Sequence, residues 1–229
     1  MATRAVFFDL GGTLMVMRRD RIIREVLLRE GRDVGIEQIH AAYMGVESWW
    51  LTKYGGRYLS KAQTEGAYAV LNQKIFEELF ALEGKQIYEG AMAMWKDLER
   101  KIPHELYADS EPVLKALSSR GFALGLISNA PAETAVVVQN LGLGRYLTNV
   151  VISGDVGYTK PHPKIFEIAL ERAGVAPEEA VHVGDLYEAD VVGAAYAGMR
   201  GVLIDRDGAQ SGYQCERIRS LSELEGILA

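Results

Sequence analysis

The chain has 229 residues, 48% of them hydrophobic, with a mean hydropathy of −0.01, which suits one substantial core, or one core plus a modest accessory domain, and excludes general disorder. A formal charge of −6 with no long Lys/Arg run argues against a nucleic-acid partner, and apolar stretches such as 122–127 and 201–204 fall far short of the ~18 residues that a membrane span needs. Cys215 stands alone, which excludes a disulfide framework or a cysteine metal site; Met-Ala-Thr-Arg leads straight into a strand-like stretch without a signal-peptide pattern, so the expected setting is a reducing cytoplasm.

Residues 4–8, Arg-Ala-Val-Phe-Phe, are short, apolar and β-leaning, as in a strand buried on both faces. The run stops at Asp9, and Gly11, Gly12 and Thr13 follow before the chain turns apolar again. Residues 16–104 contain no comparable strand run. Stretches 20–30, 61–82 and 84–100 have helical periodicity, with Tyr43, Trp49, Trp50, Tyr68, Phe76, Phe80 and Trp95 spaced among them, which predicts an all-helical insertion with these aromatics as its core.

From residue 106 onward, strand-like runs alternate with helical patterns. "FALGLIS" (122–128) leads into a helix around 132–140 closed by Gly142, and "NVVIS" (149–153) leads through a loop to "HPKIFEIALERAG". That segment reads as a helix with Pro163 early, apolar residues at 165, 166, 169 and 170, and Gly174 just past its end. "AVHVG" (180–184) is a strand, 188–197 a helix, "GVLID" (201–205) a strand and 221–228 a short closing helix. The predicted fold is α/β: a Rossmann-like parallel sheet flanked by helices, formed by 1–15 and 105–229, with 16–104 inserted as a separate helical domain.

In an open parallel sheet, functional groups gather where the carboxyl ends of the strands share a crevice. Asp9 follows the first strand, Ser128 and Asn129 the second, and Lys160 lies in the loop after "VVIS". Asp185 follows "VHVG", with Asp190 five residues later. Taken singly, each could be a helix cap or turn former. Together, carboxylates at one edge would repel unless they share a cation, and hard oxygen ligands favour Mg²⁺, which is commonly held by carboxylates and substrate phosphate oxygens.

At these residues the chain resembles the haloacid dehalogenase-like (HAD) hydrolase superfamily. The first motif, hhhhDxDGT, is matched by "VFFDLGGTL", the second by "LGLISNA", the third by "YTKPHPKIF" and the fourth, GDxxxxD, by "VGDLYEAD". A helical cap inserted after the first motif belongs to a large branch of that family, and "HVGDLYEADVVGAAYAGMRGVLIDR" looks most like its phosphatase-type members. The resemblance implies Asp9 as the nucleophile that forms an aspartyl-phosphate on a small phosphorylated substrate. It implies Mg²⁺ held by Asp9, the Gly11 carbonyl and Asp185, with Asp190 a ligand directly or through water. Lys160 would offset the carboxylates and bind the transferring group, while Ser128, Asn129 and loop groups at Gly11 and Gly12 would hold its oxygens and Thr13 would brace the loop.

The chain departs from the pattern at Gly11. Efficient phosphatases of the family carry a second Asp there, which protonates the leaving alkoxide and then activates water. Its loss predicts slow hydrolysis of alkyl phosphates, by roughly 10²–10⁴-fold, with aryl, enol and acyl phosphates least affected. The glycine also admits other readings, an unusual backbone dihedral or simple drift beside Gly12. Glu47, His40 and Tyr43 are candidate substitutes, more simply read as packing or solvated groups, and His162 and His182 read as loop and strand residues, His182 half-buried beside Asp185. Two alternatives remain: a 2-haloacid dehalogenase or phosphonate-cleaving hydrolase, for which Lys53 or Lys61 would have to form an imine, and a low-turnover phosphate-binding or regulatory protein. Trp49, Trp50 and Tyr54 are candidates to line a substrate pocket. Monomer and homodimer are both compatible with the sequence.

Overall fold

A computed structural model describes residues 2–55, 61–208, 210 and 212–228; the side chains of several residues between 48 and 100, Lys61 and Tyr68 among them, lie outside the described set. The chain divides into two compact units, one of Met1–Val16, Gly55–Lys61 and Leu106–Ala229, the other of Met17–Tyr54 and Ala62–Glu105.

The first unit is a parallel sheet. Its strands are β1 (Ala5–Phe8), β2 (Ala123–Ser128), β3 (Asn149–Ile152), β4 (Ala180–Gly184), β5 (Arg200–Ile204) and β6 (Arg217–Ile218). Among the described residues they pair in the order β3-β2-β1-β4-β5-β6, with Phe8 opposite Leu126 on one side and Val183 on the other. Every pairing is parallel.

Alternation along β1 explains why that strand is apolar throughout. Val6 and Phe8 face a core built with Leu124, Leu126, Val181 and Val183 and covered by helix α5 (Ser110–Ser119) through Val113, Leu114 and Leu117. Ala5 and Phe7 face the opposite core, covered by helix α8 (Pro163–Ala173) through Ile165, Phe166, Ala169 and Leu170. A strand buried on both faces has no solvent side on which to place polar residues. α8 begins at His162, whose Nδ1 accepts from the Lys164 backbone N–H at 3.0 Å, continues through Pro163 and ends at Gly174 with φ +65°.

The second unit contains α1 (Arg18–Arg29), α2 (Ile36–Tyr54), α3 (Lys61–Phe80) and α4 (Gly84–Lys101). α1 packs against α2 and α4. Tyr43, Trp50, Phe76 and Trp95 are buried within this unit, whereas Trp49 is 38% exposed. None of the helices searched is long and apolar enough to cross a membrane.

The structure adds α2, α5, the single turn α7 (Ser153–Val156) and the two-residue β6 to the elements read from sequence, and it alters the 188–197 helix. The predicted 188–197 helix is a π-helical turn at Tyr187–Val192 followed by the single turn α9 (Gly193–Tyr196). Around the motif loops, α6 (Thr134–Asn140), α7 (Ser153–Val156) and α10 (Leu224–Ile227) complete the first unit.

Phe166 is fully buried and stands edge-on to the His182 ring at 5.2 Å. Phe166→Ala is expected to cost about 3–5 kcal/mol, read as a lower urea midpoint for loss of the sheet unit's fluorescence or circular dichroism signal.

Candidate active site

The carboxyl ends of β2, β1 and β4 are neighbours in the sheet, and the site forms where they stop. Asp9 continues β1 by one residue, its N–H donating to the Val183 carbonyl at 2.9 Å, and its side chain is buried. Lys160 is 2% exposed, and its Nζ donates to Asp9 Oδ1 at 2.7 Å and to Asp190 Oδ1 at 2.6 Å. A buried ammonium is tolerable only with such partners. Burial works against its charge, but Asp190 and Asp9 outweigh burial and hold Lys160 protonated.

Asn129, just past β2, braces this lysine. Its Oδ1 accepts from the Lys160 N–H at 2.7 Å and its Nδ2 donates to the Lys160 carbonyl at 3.0 Å. Ser128, the last residue of β2, is buried beside it in sequence. Ser153, which the sequence reading passed over, accepts from Ala130 N–H at 3.0 Å through its Oγ and so anchors the turn that follows Asn129.

Asp190 sits in the π-helical turn with no exposed surface. Its Oδ1 also accepts from His182 Nε2 at 2.9 Å, and its Oδ2 accepts from the Leu186 N–H at 2.9 Å. Burial alone would raise its pKa, but Lys160 and His182 hold it well below the usual carboxylate range. His182 is fully buried and bonded to Asp190, which corrects the expectation of a half-buried residue beside Asp185. Burial lowers its pKa against the pull of Asp190. As a neutral ring it carries its proton on Nε2, the tautomer that a carboxylate acceptor requires.

Asp185 follows β4 and is buried. Thr13 Oγ1 donates to its Oδ1 at 3.2 Å, and Gln210 Nε2 donates to its backbone carbonyl at 2.7 Å. Two glycines make room here. A Cβ on Gly12 would lie 2.2 Å from Asp185 Oδ2, and one on Gly184 would lie 2.1 Å from Asp190 Cγ. Gly12 also carries a φ of +77°, so the left-handed turn falls on this residue and not on Gly11. Gly11 itself forms an isolated bridge with Met15.

Burial raises the pKa of Asp185 well above its ordinary value, reinforced by the charges of Asp9 and Asp190. Burial likewise raises Asp9, although Lys160 opposes it. Three carboxylates faced by one ammonium leave a surplus of negative charge made of hard oxygen donors. That chemistry fits a small divalent cation shared by Asp9 and Asp185, while the oxygens of Asp190 are already engaged. Among the described residues, no three His, Cys, Asp or Glu side chains form a metal cluster by themselves, so backbone, water or substrate oxygens would complete such a coordination shell.

The other residues singled out from sequence lie elsewhere. In the helical unit, His40 Nδ1 pairs with Asp20 Oδ2 at 3.0 Å, the Arg19 guanidinium lies 4.5 Å from the Tyr43 ring centroid, and Glu47 is buried. Trp50 is core, its Nε1 donating to the Ala67 carbonyl at 3.1 Å. Lys53 Nζ stands over the Trp49 and Tyr54 rings at 5.1 and 5.3 Å. The side chain of Lys61 lies outside the described residues.

The ends of β1, β2 and β4 and the loop after β3 thus meet in one buried acidic and cationic cluster on an α/β sheet, and sequence comparisons identify the class of protein. A family model described as "haloacid dehalogenase-like hydrolase" matches residues 3–198, and the chain belongs to this family. Phosphoserine phosphatase of Thermus thermophilus is 38% identical over 138 residues, 58% of this chain and 54% of that protein. A glyceraldehyde 3-phosphate phosphatase of Methanothermobacter thermautotrophicus is 27% identical across 98% of this chain and 99% of its own length. The chain spans about half the length of several curated relatives it matches, between 43% and 54% for three of them. Among solved structures, a HAD phosphatase from Thermococcus onnurineus superposes with a TM-score of 0.62 at 27% identity, covering 99% of this chain and 98% of that one.

The surplus charge carries a stability consequence. A carboxyl whose folded pKa is raised binds more protons folded than unfolded, so its contribution to stability falls as pH rises from the unfolded value through the folded one. In a chelating buffer at neutral pH, Asp185→Asn is therefore expected to melt at a higher temperature than the parent protein, the gap narrowing on acidification. A lower melting temperature for Asp185→Asn at neutral pH would contradict this electrostatic account.

Proposed function

We propose that the protein is a Mg²⁺-dependent phosphatase of a small phosphorylated metabolite, acting through an aspartyl-phosphate on Asp9. The observation that carries this reading is Lys160 Nζ lodged between Asp9 and Asp190, with the surplus charge of Asp185 alongside. Relatives named as phosphoserine and glyceraldehyde 3-phosphate phosphatases support the substrate class.

In this mechanism the Asp9 oxygen not bonded to Lys160 attacks phosphorus in line. The new O–P bond forms as the bond to the leaving oxygen breaks, and the leaving oxygen departs with the electron pair. Water then displaces Asp9 from the acyl phosphate and releases orthophosphate. Lys160 neutralises charge on the equatorial oxygens, with Ser128 and the loop N–H groups at Gly11 and Gly12 as further donors. Asp9, the Gly11 carbonyl and Asp185 would hold Mg²⁺, which supplies charge neutralisation for the phosphoryl group; Asp190, engaged by Lys160, His182 and Leu186, would reach it through water. Asn129 acts by holding the backbone of Lys160.

The missing acid at Gly11 governs selectivity. With no carboxyl two residues after Asp9, leaving groups that need no proton are favoured. The helical insertion, 16–104, is the proposed cap that selects the substrate, with 1–15 and 105–229 as the core domain.

The test is turnover of p-nitrophenyl phosphate, an acyl phosphate and an alkyl phosphate, with Mg²⁺ and with chelator. Aryl turnover is expected to require Mg²⁺ and to vanish in Asp9→Asn. Because Gly11 does not carry the positive φ of Gly12, Gly11→Asp is expected to fold and to raise the alkyl-phosphate rate by about 10²-fold or more, and the aryl rate far less. No phosphate turnover in either form would remove the phosphatase reading. Halide release from 2-haloacids without Mg²⁺ would then assign a dehalogenase, and Mg²⁺-dependent binding of orthophosphate without turnover a regulatory protein.

A further inference from the structure

Arg206, two residues past the end of β5, meets the first-motif loop from behind. Its Nη2 donates to the Thr13 carbonyl at 2.7 Å and its Nε to the Gly12 carbonyl at 3.3 Å. The same guanidinium grips Asp109 with both terminal nitrogens, each at 3.0 Å, and lies 3.7 Å from the centroid of the Tyr107 ring. Asp109 is held in turn by Ser220 Oγ at 2.8 Å and the Leu221 N–H at 2.9 Å. Every nitrogen of the fork is thus engaged, in a geometry that a lysine cannot reproduce.

The consequence follows from peptide planarity. Fixing the Gly12 and Thr13 carbonyls fixes the two peptide planes that flank Thr13. Thr13 donates its hydroxyl to Asp185 Oδ1, and Gly12 lies against Asp185 Oδ2. The chain segments on either side of the helical insertion converge on this same point. Tyr107 N–H and Ser110 Oγ both donate to the Leu14 carbonyl, at 3.0 and 2.8 Å, and Met15 forms a bridge with Leu106.

We infer that Arg206 is a positioning residue for the reaction: through the Gly12 and Thr13 carbonyls it sets the loop that presents Asp9, the Gly11–Gly12 backbone and Asp185 to the substrate. This rests on the phosphatase reading for its chemical consequence, and on the hydrogen bonds alone for its structural one. Small displacements of a reacting group are costly, so Arg206→Ala is expected to lower kcat on p-nitrophenyl phosphate by about 10-fold or more, with KM changed by less than about threefold. Millimolar guanidinium is expected to restore part of that kcat. Arg206→Lys keeps the charge, folds, and is expected to retain the kcat defect because one ammonium cannot hold two carbonyls and a carboxylate at once.

Leu170→Ala, on α8 in the opposite core of the sheet, provides the stability control. It is expected to lower the melting temperature while leaving kcat per folded molecule unchanged. If Arg206→Ala and Arg206→Lys keep parental kcat per folded molecule, or guanidinium gives no rescue, the inference is overturned. Should the parent protein show no Asp9-dependent turnover, the phosphatase reading fails separately, and amide exchange then decides the positioning role. The Gly12, Leu14 and Met15 amides, bonded to Met15, Leu10 and Leu10 carbonyls, are expected to exchange at least tenfold faster in Arg206→Lys while α8 amides hold their rate. Unchanged exchange in that loop would overturn the inference.

Discussion

One buried ammonium group, Lys160 Nζ, is the contact on which the site depends. Its two carboxylate partners come from the ends of β1 and from the turn after β4, and its backbone is held by Asn129 from the end of β2. These three strands are adjacent in the sheet, so a single residue ties together their carboxyl ends, two through its side chain and one through its backbone. Removing the lysine would leave two desolvated carboxylates facing each other without a counter-charge, and removing either acid would leave the ammonium under-paired. The position of Asp9 is therefore set by a charge network within the sheet unit itself.

That network is deliberately incomplete. Asp190 is saturated by Lys160, neutral His182 and the Leu186 N–H, and lies low in pKa. Among the described residues Asp185 accepts the Thr13 hydroxyl on one oxygen and forms no ion pair, and burial with two like charges nearby raises its pKa. One acid is thus locked into structure and the other left demanding a partner. The difference between two aspartates of the same motif comes from what their neighbours donate, not from their burial, because both are deeply enclosed. It also explains why Gly184 must be glycine, since any Cβ there would enter the space that Asp190 occupies to reach Lys160 and His182.

Much of this was legible in the sequence because the sheet is parallel and doubly covered. Strands buried on both faces read as apolar runs, and the polar residue that ends each run marks the edge where chemistry collects. Asp9, Ser128, Asn129 and Asp185 were all visible in that way. What escaped has particular causes. In α2 the buried Ile39, Ala42, Tyr43, Val46, Trp50 and Leu51 share the helix with the exposed Ile36 and Trp49, so apolar spacing alone does not mark the buried face. β6 has only two residues, too few to show any alternation. The turn at Tyr187–Val192 has a wider winding because Asp190 must point inward to three donors, a tertiary demand with no periodic signature. His182 looked like an ordinary strand residue because its partner lies eight residues away, across the motif. Arg206 follows an apolar strand as the other site residues do, yet a lone arginine in that position gives no hint that it returns to residues 12 and 13.

The two glycines of the first motif have different physical standing. Gly12 is imposed by the fold, because it carries a positive φ and because Asp185 fills the space where a side chain would begin. Gly11 carries no positive φ, and on the proposed phosphatase reading its identity bears on the chemistry. A carboxyl at this position would add a further negative charge to a pocket already in surplus. Its absence leaves Lys160, which Asp9 and Asp190 keep charged, and His182, whose only described hydrogen bond goes to Asp190, as proton carriers beside the raised Asp185 carboxyl, which would give up its proton on binding a cation. On the proposed phosphatase reading, neither Lys160 nor His182 can lend a proton to a departing oxygen without breaking the network that positions Asp9. On that same proposed reading, such a cluster would stabilise charge on the transferring group rather than deliver a proton to the leaving one, which would favour leaving groups that depart as stable anions.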